Sequence, residues 1–394
     1  MNVQWPEPEH RGSWMRALLW QHALPLWWRK GADHLRGGYH EALSFDLRPQ
    51  GSVKRLRLQA RQVFVYAQAG RLGWDGPWRE AMLHGLGFLL ERYFRADGLM
   101  RTAVDGDSAD EVDLYDQAFA LLAFASAYRS TASDFWKIRA EALLDAMDEH
   151  LGHPIAGYFE ASPEPLPLRS NPHMHLLEAL LAWVEAGGGG AFARRARAIR
   201  DLALDRLVDP ATGIIGERYD RDWLALNEGR GDCMPGHQYE WAFLLHRANE
   251  LLGEADCRQV LTGLVGFAER HGVLDGRVVM CVDRTGRLCD SDARFWSQLE
   301  RLRTSIACPD AFPSGAAAAA RESFAAVRAY CAGVPDGMWR DRVDAAGAWV
   351  EQPCPGSTLY HLVSAFSELE TPLHDFAQEP CRDPRAGEIH LAAR

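Results

Sequence analysis

A glycine-opened segment recurs six times along this 394-residue chain, at Gly38, Gly98, Gly157, Gly213, Gly276 and Gly337, in steps of 60, 59, 56, 63 and 61 residues. The copies read GGYHEA, DGLMRT, AGYFEA, TGIIGE, DGRVVM and DGMWRD. A period that regular marks an array of supersecondary units rather than independent domains. Each copy follows a stretch of helical periodicity and leads through a polar loop into another, so the unit is helix, turn, helix. The helix before the glycine is amphipathic: residues 191–207 keep Phe192, Ile199 and Leu202 near one face and cover the rest with Arg and Asp. The helix after it, as over 117–128, 176–184 and 239–246, is apolar on nearly all sides. Helices apolar all round must be buried all round. Strict alternation of the two kinds predicts an all-α fold, an (α/α)6 barrel. Its six buried helices stand inside six one-sided ones, with short β-hairpin-like segments between the paired helices.

No Pro/Ser-rich linker or change of composition divides the chain, which predicts one catalytic domain over 1–394 with residues from about 372 as an extended tail. A net charge of -11 with interspersed signs excludes a phosphate-binding surface, since nucleic acid needs clustered Lys and Arg. The start, MNVQWPEPEH, carries no basic region followed by an apolar run, and no stretch approaches the roughly 20 apolar residues that span a bilayer. The expectation is a cytoplasmic monomer or homodimer with no membrane or nucleic-acid partner. Eight cysteines, all from Cys233 onward and without a close CxxC pair, are expected to be reduced and without a role.

If the buried helices line a cavity, their first turns are where reactive groups belong. Asn171-Pro172 reads as a helix start, Asn as N-cap and Pro at the first helical position, with His175 in the first turn. Pro235-Gly236-His237 opens the helix that carries Glu240, and Ser357 stands as a cap before His361. The other inner helices carry Arg61, Tyr115 with Asp116, and Trp296 with Glu300. From Arg61 the steps to Tyr115, His175, His237, Trp296 and His361 are 54, 60, 62, 59 and 65 residues, so one such group recurs per repeat at one level of the barrel. Bases, a cation, carboxylates and a Trp platform suit a polyhydroxylated small molecule. Of His173 and His175, which point to different sides of a helix, the second is taken to face the cavity and the first to be structural. Arg61 has two readings, ligand contact or neutralisation of Glu300 or Asp116.

His237 and Glu240, at i and i+3, have the spacing to share a metal with His175 or His361. Helix N-termini oppose a cation, favour an anion and keep a nearby imidazole neutral, so no metal and no cofactor is expected. Neutral imidazoles beside an anion-stabilising site fit proton abstraction next to a carbonyl, giving an enediolate.

At these motifs the chain resembles the N-acylglucosamine 2-epimerase superfamily, which includes cellobiose 2-epimerases, mannose 2-epimerases and metal-independent mannose and sulfoquinovose aldose-ketose isomerases. The resemblance runs through LQARQVFVYA, DLYDQAFALLAFA, NPHMHLLEA, PGHQYEWAFLL, FWSQLE and STLYHL, in the family's order and spacing. NPHMHLLEA, PGHQYEWAFLL and STLYHL are most similar to the mannose isomerase branch. The resemblance implies a sugar isomerase, most closely one interconverting D-mannose and D-fructose, with His237 and His361 as the acid/base pair. It further implies sugar contact by His175 and Asn171, with His175 helping to open the ring, and Arg61 and Tyr115 near the carbonyl and hydroxyl oxygens. Glu240 is implied to orient His237, and Trp296 to pack on the sugar. Disaccharide-acting members carry a Trp and Lys-containing segment before the last His, where this chain has QPCPGSTLYHL, which disfavours a disaccharide. The rival outcomes are 2-epimerisation of mannose, glucose or an N-acylated hexosamine, glycoside hydrolysis by a carboxylate pair such as Glu240 and Glu300, and sugar or protein binding without catalysis.

Overall fold

The computed structural model describes residues 8–104, 111–161, 165–226, 233–253 and 256–370; the expected tail lies outside the described residues. In chain order the helices are α1 (Pro8–Ala17, continued to Gly31), α2 (Leu56–Arg71), α3 (Trp78–Arg92), α4 (Leu114–Thr131), α5 (Asp134–His150), α6 (Ser170–Glu185), α7 (Gly190–Leu202), α8 (Pro235–Leu252), α9 (Arg258–His271), α10 (Phe295–Ala307), α11 (Ala316–Cys331) and α12 (Thr358–Glu370). Between Ala17 and Gly31, α1 runs through wide π turns at Leu18–Ala23 and Trp27–Gly31 on either side of Leu24–Leu26. Pro25 has no N–H for the ladder and crowds the preceding turn, which accounts for the widening there.

The even-numbered helices form the inner ring. Each packs against the next, and α12 packs against α2, closing the ring, while the odd-numbered helices lie outside. The burial follows the sequence pattern: in α4 almost every residue from Leu114 to Ala127 is buried, whereas α7 buries one face through Phe192, Ala196, Ile199 and Leu202. The barrel is the (α/α)6 architecture that the alternation implies.

At the end where the inner helices begin, two-residue antiparallel strands tie one repeat to another. Lys54–Arg55 pairs with Ala103–Val104, Leu168–Arg169 with Arg218–Tyr219, and Ala293–Arg294 with Arg342–Val343. Cys354–Pro355 joins Ala42–Leu43, which brings the last repeat to the first.

All six repeat glycines have positive φ, from +68° at Gly157 to +84° at Gly337, the region an L side chain avoids. In five of the six repeats a polar side chain from the following inner helix holds the turn. Gln59 accepts from the Tyr39 amide and donates to its carbonyl, and Gln117, Gln238 and Gln298 do the same to Met100, Ile215 and Val278. In the third repeat His173 takes that place, its Nε2 accepting from the Tyr158 amide at 3.1 Å. A Cβ on Gly157 would lie 2.7 Å from that nitrogen, so the turn is glycine for reasons of space as well as of φ. His173 is thereby a structural residue, as its helical direction predicts.

Candidate active site

The first turns of the inner helices open onto a cavity of about 300 Å³. Arg61, Tyr115, Asn171, His175, His237, Glu240, Trp296 and His361 all line it, together with Arg57, Met234, Arg294, Ser357 and Thr358. Eight of the nine residues singled out in the sequence therefore converge. Glu300, fully buried, does not line the cavity and stands behind the wall, hydrogen-bonded to His361.

Each of the two implied bases is held by a carboxylate at Nδ1. His361 Nδ1 lies 2.6 Å from Glu300 Oε1, across from α12 to α10. His237 Nδ1 lies 2.9 and 3.0 Å from the two oxygens of Glu217, which also accepts from the Met234 amide at the start of α8. Nδ1–H donation to a carboxylate leaves Nε2 as the nitrogen available to a ligand. The Trp296 ring lies against both imidazoles, with centroids 5.2 Å from His237 and 5.8 Å from His361. Gly236 permits this: a Cβ there would meet the indole at 2.6 Å.

His175 is the third imidazole, its Nδ1 3.1 Å from Glu178 Oε2, and Glu178 in turn accepts from the Tyr360 hydroxyl. Burial lowers the His175 pKa to about 4 against the pull of Glu178, so this imidazole is neutral at pH 7. Burial likewise holds His361 below its ordinary value, against Glu300. Burial would raise Glu178 and Glu300, yet their hydrogen bonds to the imidazoles and the Arg303 guanidinium prevail and keep both below the usual carboxylate range, Glu178 at about 2. Glu240 behaves oppositely: burial and the charges of Glu300 and Glu178 push it well up.

Arg61 donates to the Tyr115 hydroxyl at 2.7 Å, its guanidinium carbon 4.3 Å from the Phe119 ring centroid and 5.1 Å from that of Tyr360. Among the described residues it pairs with no carboxylate, so neutralisation of Glu300 or Asp116 is set aside. Asp116 is taken by Arg57 through bonds of 3.1 Å to both oxygens. Other sequence expectations also change. Asn171 is no N-cap: α6 starts two residues earlier than expected, after Arg169, because Leu168–Arg169 is held as strand. Asn171 is instead inside the helix, its Oδ1 buried without a partner among the described residues and its side chain on the cavity. Ser357 likewise lines the cavity and makes no capping hydrogen bond among the described residues. Glu240 does not orient His237. It faces His175, 3.9 Å away, because the i+3 step carries it past the carboxylate that Glu217 supplies.

Glu217 is the residue that sequence reasoning missed. The repeat segments carry the signal, ending in Glu41, Glu160, Glu217 and Asp341, each an acid three or four residues after the glycine. Glu41 accepts from the Arg55 amide and Asp341 pairs with Arg294 at 2.8 Å, so these acids recur at the mouth of the barrel.

Two triads of ligand atoms fall within 4.8 Å among the described residues, His175 with Glu178 and Glu240, and Glu240 with Glu300 and His361. Arg303 already stands 3.9 Å from Glu178 and 3.5 Å from Glu300, so a metal ion there would face a fixed cation.

The sequence model of the N-acylglucosamine 2-epimerase (GlcNAc 2-epimerase) family matches residues 37–365. A mannose-6-phosphate isomerase from Rhizobium meliloti (strain 1021) is 38% identical over 363 residues, covering 88% of this chain and 94% of that protein. A D-mannose isomerase from Marinomonas mediterranea (strain ATCC 700492 / JCM 21426 / NBRC 103028 / MMB-1) is 25% identical over 290 residues, 67% of this chain and 72% of that one. A solved D-mannose isomerase structure superposes with a TM-score of 0.83 at 19% identity, over 93% of this chain and 99% of the other.

Proposed function

The chain belongs to the N-acylglucosamine 2-epimerase family, a family of sugar isomerases and epimerases, and we propose that it is an aldose-ketose isomerase acting on a free hexose, D-mannose to D-fructose. The observation that carries this reading is the pair of carboxylate-held imidazoles, His237 and His361, lying against one indole in a cavity that also holds Arg61. The open-chain aldose lies with its C2 hydrogen toward Nε2 of His361, which removes it. A cis-enediolate forms beside Arg61 and Tyr115, and return of the proton to C1, with transfer of the O2 proton to O1, gives the ketose. His175 is neutral and can carry the proton exchanged when the ring opens. Asn171 contributes an amide with an open acceptor, and Trp296 a flat apolar face for the sugar's C–H groups.

The charge balance favours an unphosphorylated sugar. Of the three guanidinium groups on the cavity, Arg57 is paired with Asp116 and Arg294 with Asp341, which leaves Arg61 alone uncompensated among the described residues. A phosphate dianion is best met by more than one such group. A second reading, 2-epimerisation, draws on His237 as a second base that can return a proton to C2 from the other face. Hydrolysis draws on nothing comparable: Glu240 and Glu300 bring oxygens within 4.8 Å, below the spacing of about 5 to 9.5 Å between hydrolytic carboxylates, and Glu300 does not line the cavity.

The seven described cysteines are free thiols and no helix among the described residues is long and apolar enough to cross a membrane, which supports a cytoplasmic setting. The test is a substrate panel of D-mannose, D-glucose, an N-acylmannosamine and mannose 6-phosphate with product identification. Fructose from mannose, with little from the phosphate ester, is the expected result. Glucose as the product establishes the epimerase, and preference for the phosphate ester contradicts the free-sugar assignment.

A further inference from the structure

Beneath the two bases, three carboxylates crowd together from three helices: Glu178 on α6, Glu240 on α8 and Glu300 on α10. The cation among them is Arg303, buried and 3.9 Å from Glu178 and 3.5 Å from Glu300. Glu178 is further held by His175 and Tyr360, and Glu300 by His361. Glu240 has no such hydrogen bond, and His175 Nδ1 comes no nearer to it than 3.9 Å. It is 1% exposed, Oε1 is buried without a hydrogen-bond partner among the described residues, and it lines the cavity within 4.8 Å of ligand atoms of both His175 and His361. A third negative charge at this spot would be unpaired, in low dielectric and beside two others. A carboxyl so placed takes up a proton instead.

We propose that Glu240 rests as the neutral carboxylic acid and is the catalytic group that moves the proton between the two substrate oxygens. The inference rests on the isomerase reading and supplies the step that His361 alone leaves open. As His361 Nε2 takes the C2 hydrogen, the C2–H electrons become the C1=C2 bond, and the C1=O π electrons move onto O1, which takes the proton from Glu240. The products are the enediol, the imidazolium and the Glu240 carboxylate. In the second half, Glu240 takes the proton from O2, the C2=O bond forms, and the C1=C2 electrons take the His361 proton at C1. Both groups return to their starting states and no other reactant is used. The pKa direction of Glu240, raised by burial and by Glu300 and Glu178, agrees with the geometry. Arg61, the nearest cation on the cavity side, is occupied with the Tyr115 hydroxyl.

The experiment is infrared difference spectroscopy of the substrate-free protein at neutral pH, wild type minus Glu240→Gln, with Glu217→Gln as the control, followed by turnover of all three. The expected result is a protonated-carboxyl C=O stretch that shifts in heavy water, present in the first difference and absent from the control, with Glu240→Gln slower by at least about 10². No such band, or Glu240→Gln turning over within about threefold of wild type, overturns the proposal. If Glu240→Gln does not fold, the wild-type spectrum is recorded at about pH 9, beyond Asp116 and Glu160, which burial raises to about 7. A carboxylic-acid band surviving there supports the assignment and its absence overturns it. Failure of the isomerase reading is distinct, because it appears as wild-type protein that makes no ketose whatever the band shows.

Discussion

The two imidazole-carboxylate pairs of the cavity look alike in chemistry and differ in construction. His361 and Glu300 bridge two inner helices, Glu300 has no exposed surface, and Arg303 fixes it from behind. His237 is held by Glu217, whose side chain keeps 13% of its surface and which sits between the Gly213 turn and the strand Arg218–Tyr219. One base is part of the barrel wall, and the other is held from the loop layer that caps it. In the proposed chemistry the rigid pair takes the C2 proton, and the loop-held pair is the one whose placement separates isomerisation from epimerisation, where small displacements of a reacting group change the rate strongly.

Substitution can break that contrast at several levels. The largest effect is expected from His361→Ala, and next from His237→Ala, each lowering kcat/KM by at least about 10² with the fold intact by circular dichroism. Equal activity of either variant and wild type contradicts the two-base account. Glu300→Gln should lose activity and also about 3–5 kcal/mol of stability in denaturant unfolding, because it strips Arg303 of a buried partner. Glu217→Gln, with no Arg or Lys paired to it among the described residues, should cost about tenfold in kcat, equivalent to about 1.4 kcal/mol, and leave the unfolding midpoint near wild type. If the two Gln variants prove equally unstable, the distinction between wall and loop falls.

A fifth substitution separates scaffold from site. Gln117→Ala removes the clamp on Met100 and should cost about 1–3 kcal/mol of stability through the unpaired backbone groups while kcat stays put. The smallest effect is in pH. His173 and His175 both have folded pKa values lowered to about 4 by burial, so the unfolded chain binds more protons between about 4 and 6.5. Stability from these groups is complete above about pH 6.5 and drains away as pH falls toward 4. Thermal unfolding should show that slope, reduced in His173→Gln.

How much of this was legible in the sequence depends on whether a residue's partner repeats. The barrel was, because glycine at positive φ and the alternation of one-sided and fully apolar helices recur with a fixed period. The cavity ring from Arg61 to His361 was legible for the same reason, each group occupying the first turns of its helix. The carboxylate behind His237 was not, since Glu217 belongs to the turn and stands 20 positions before its partner, outside that partner's helix. The family resemblance implied Glu240 instead, a residue that faces His175. Asn171-Pro172 gave a false start because strand pairing at Arg169, a contact with Arg218 that lies 49 residues away, overrides the local preference of Asn for the cap. The clamping glutamines recur in four of the six repeats, and stand out only once the turn carbonyls and amides are seen to need partners.

The most direct measurement is NMR of D-mannose incubated with the protein in heavy water. The account predicts fructose carrying deuterium at C1, the mark of an enediol formed by a base that exchanges with solvent. Glucose labelled at C2 would contradict the isomerase assignment, and fructose formed without any deuterium would contradict exchange of the His361 proton with solvent.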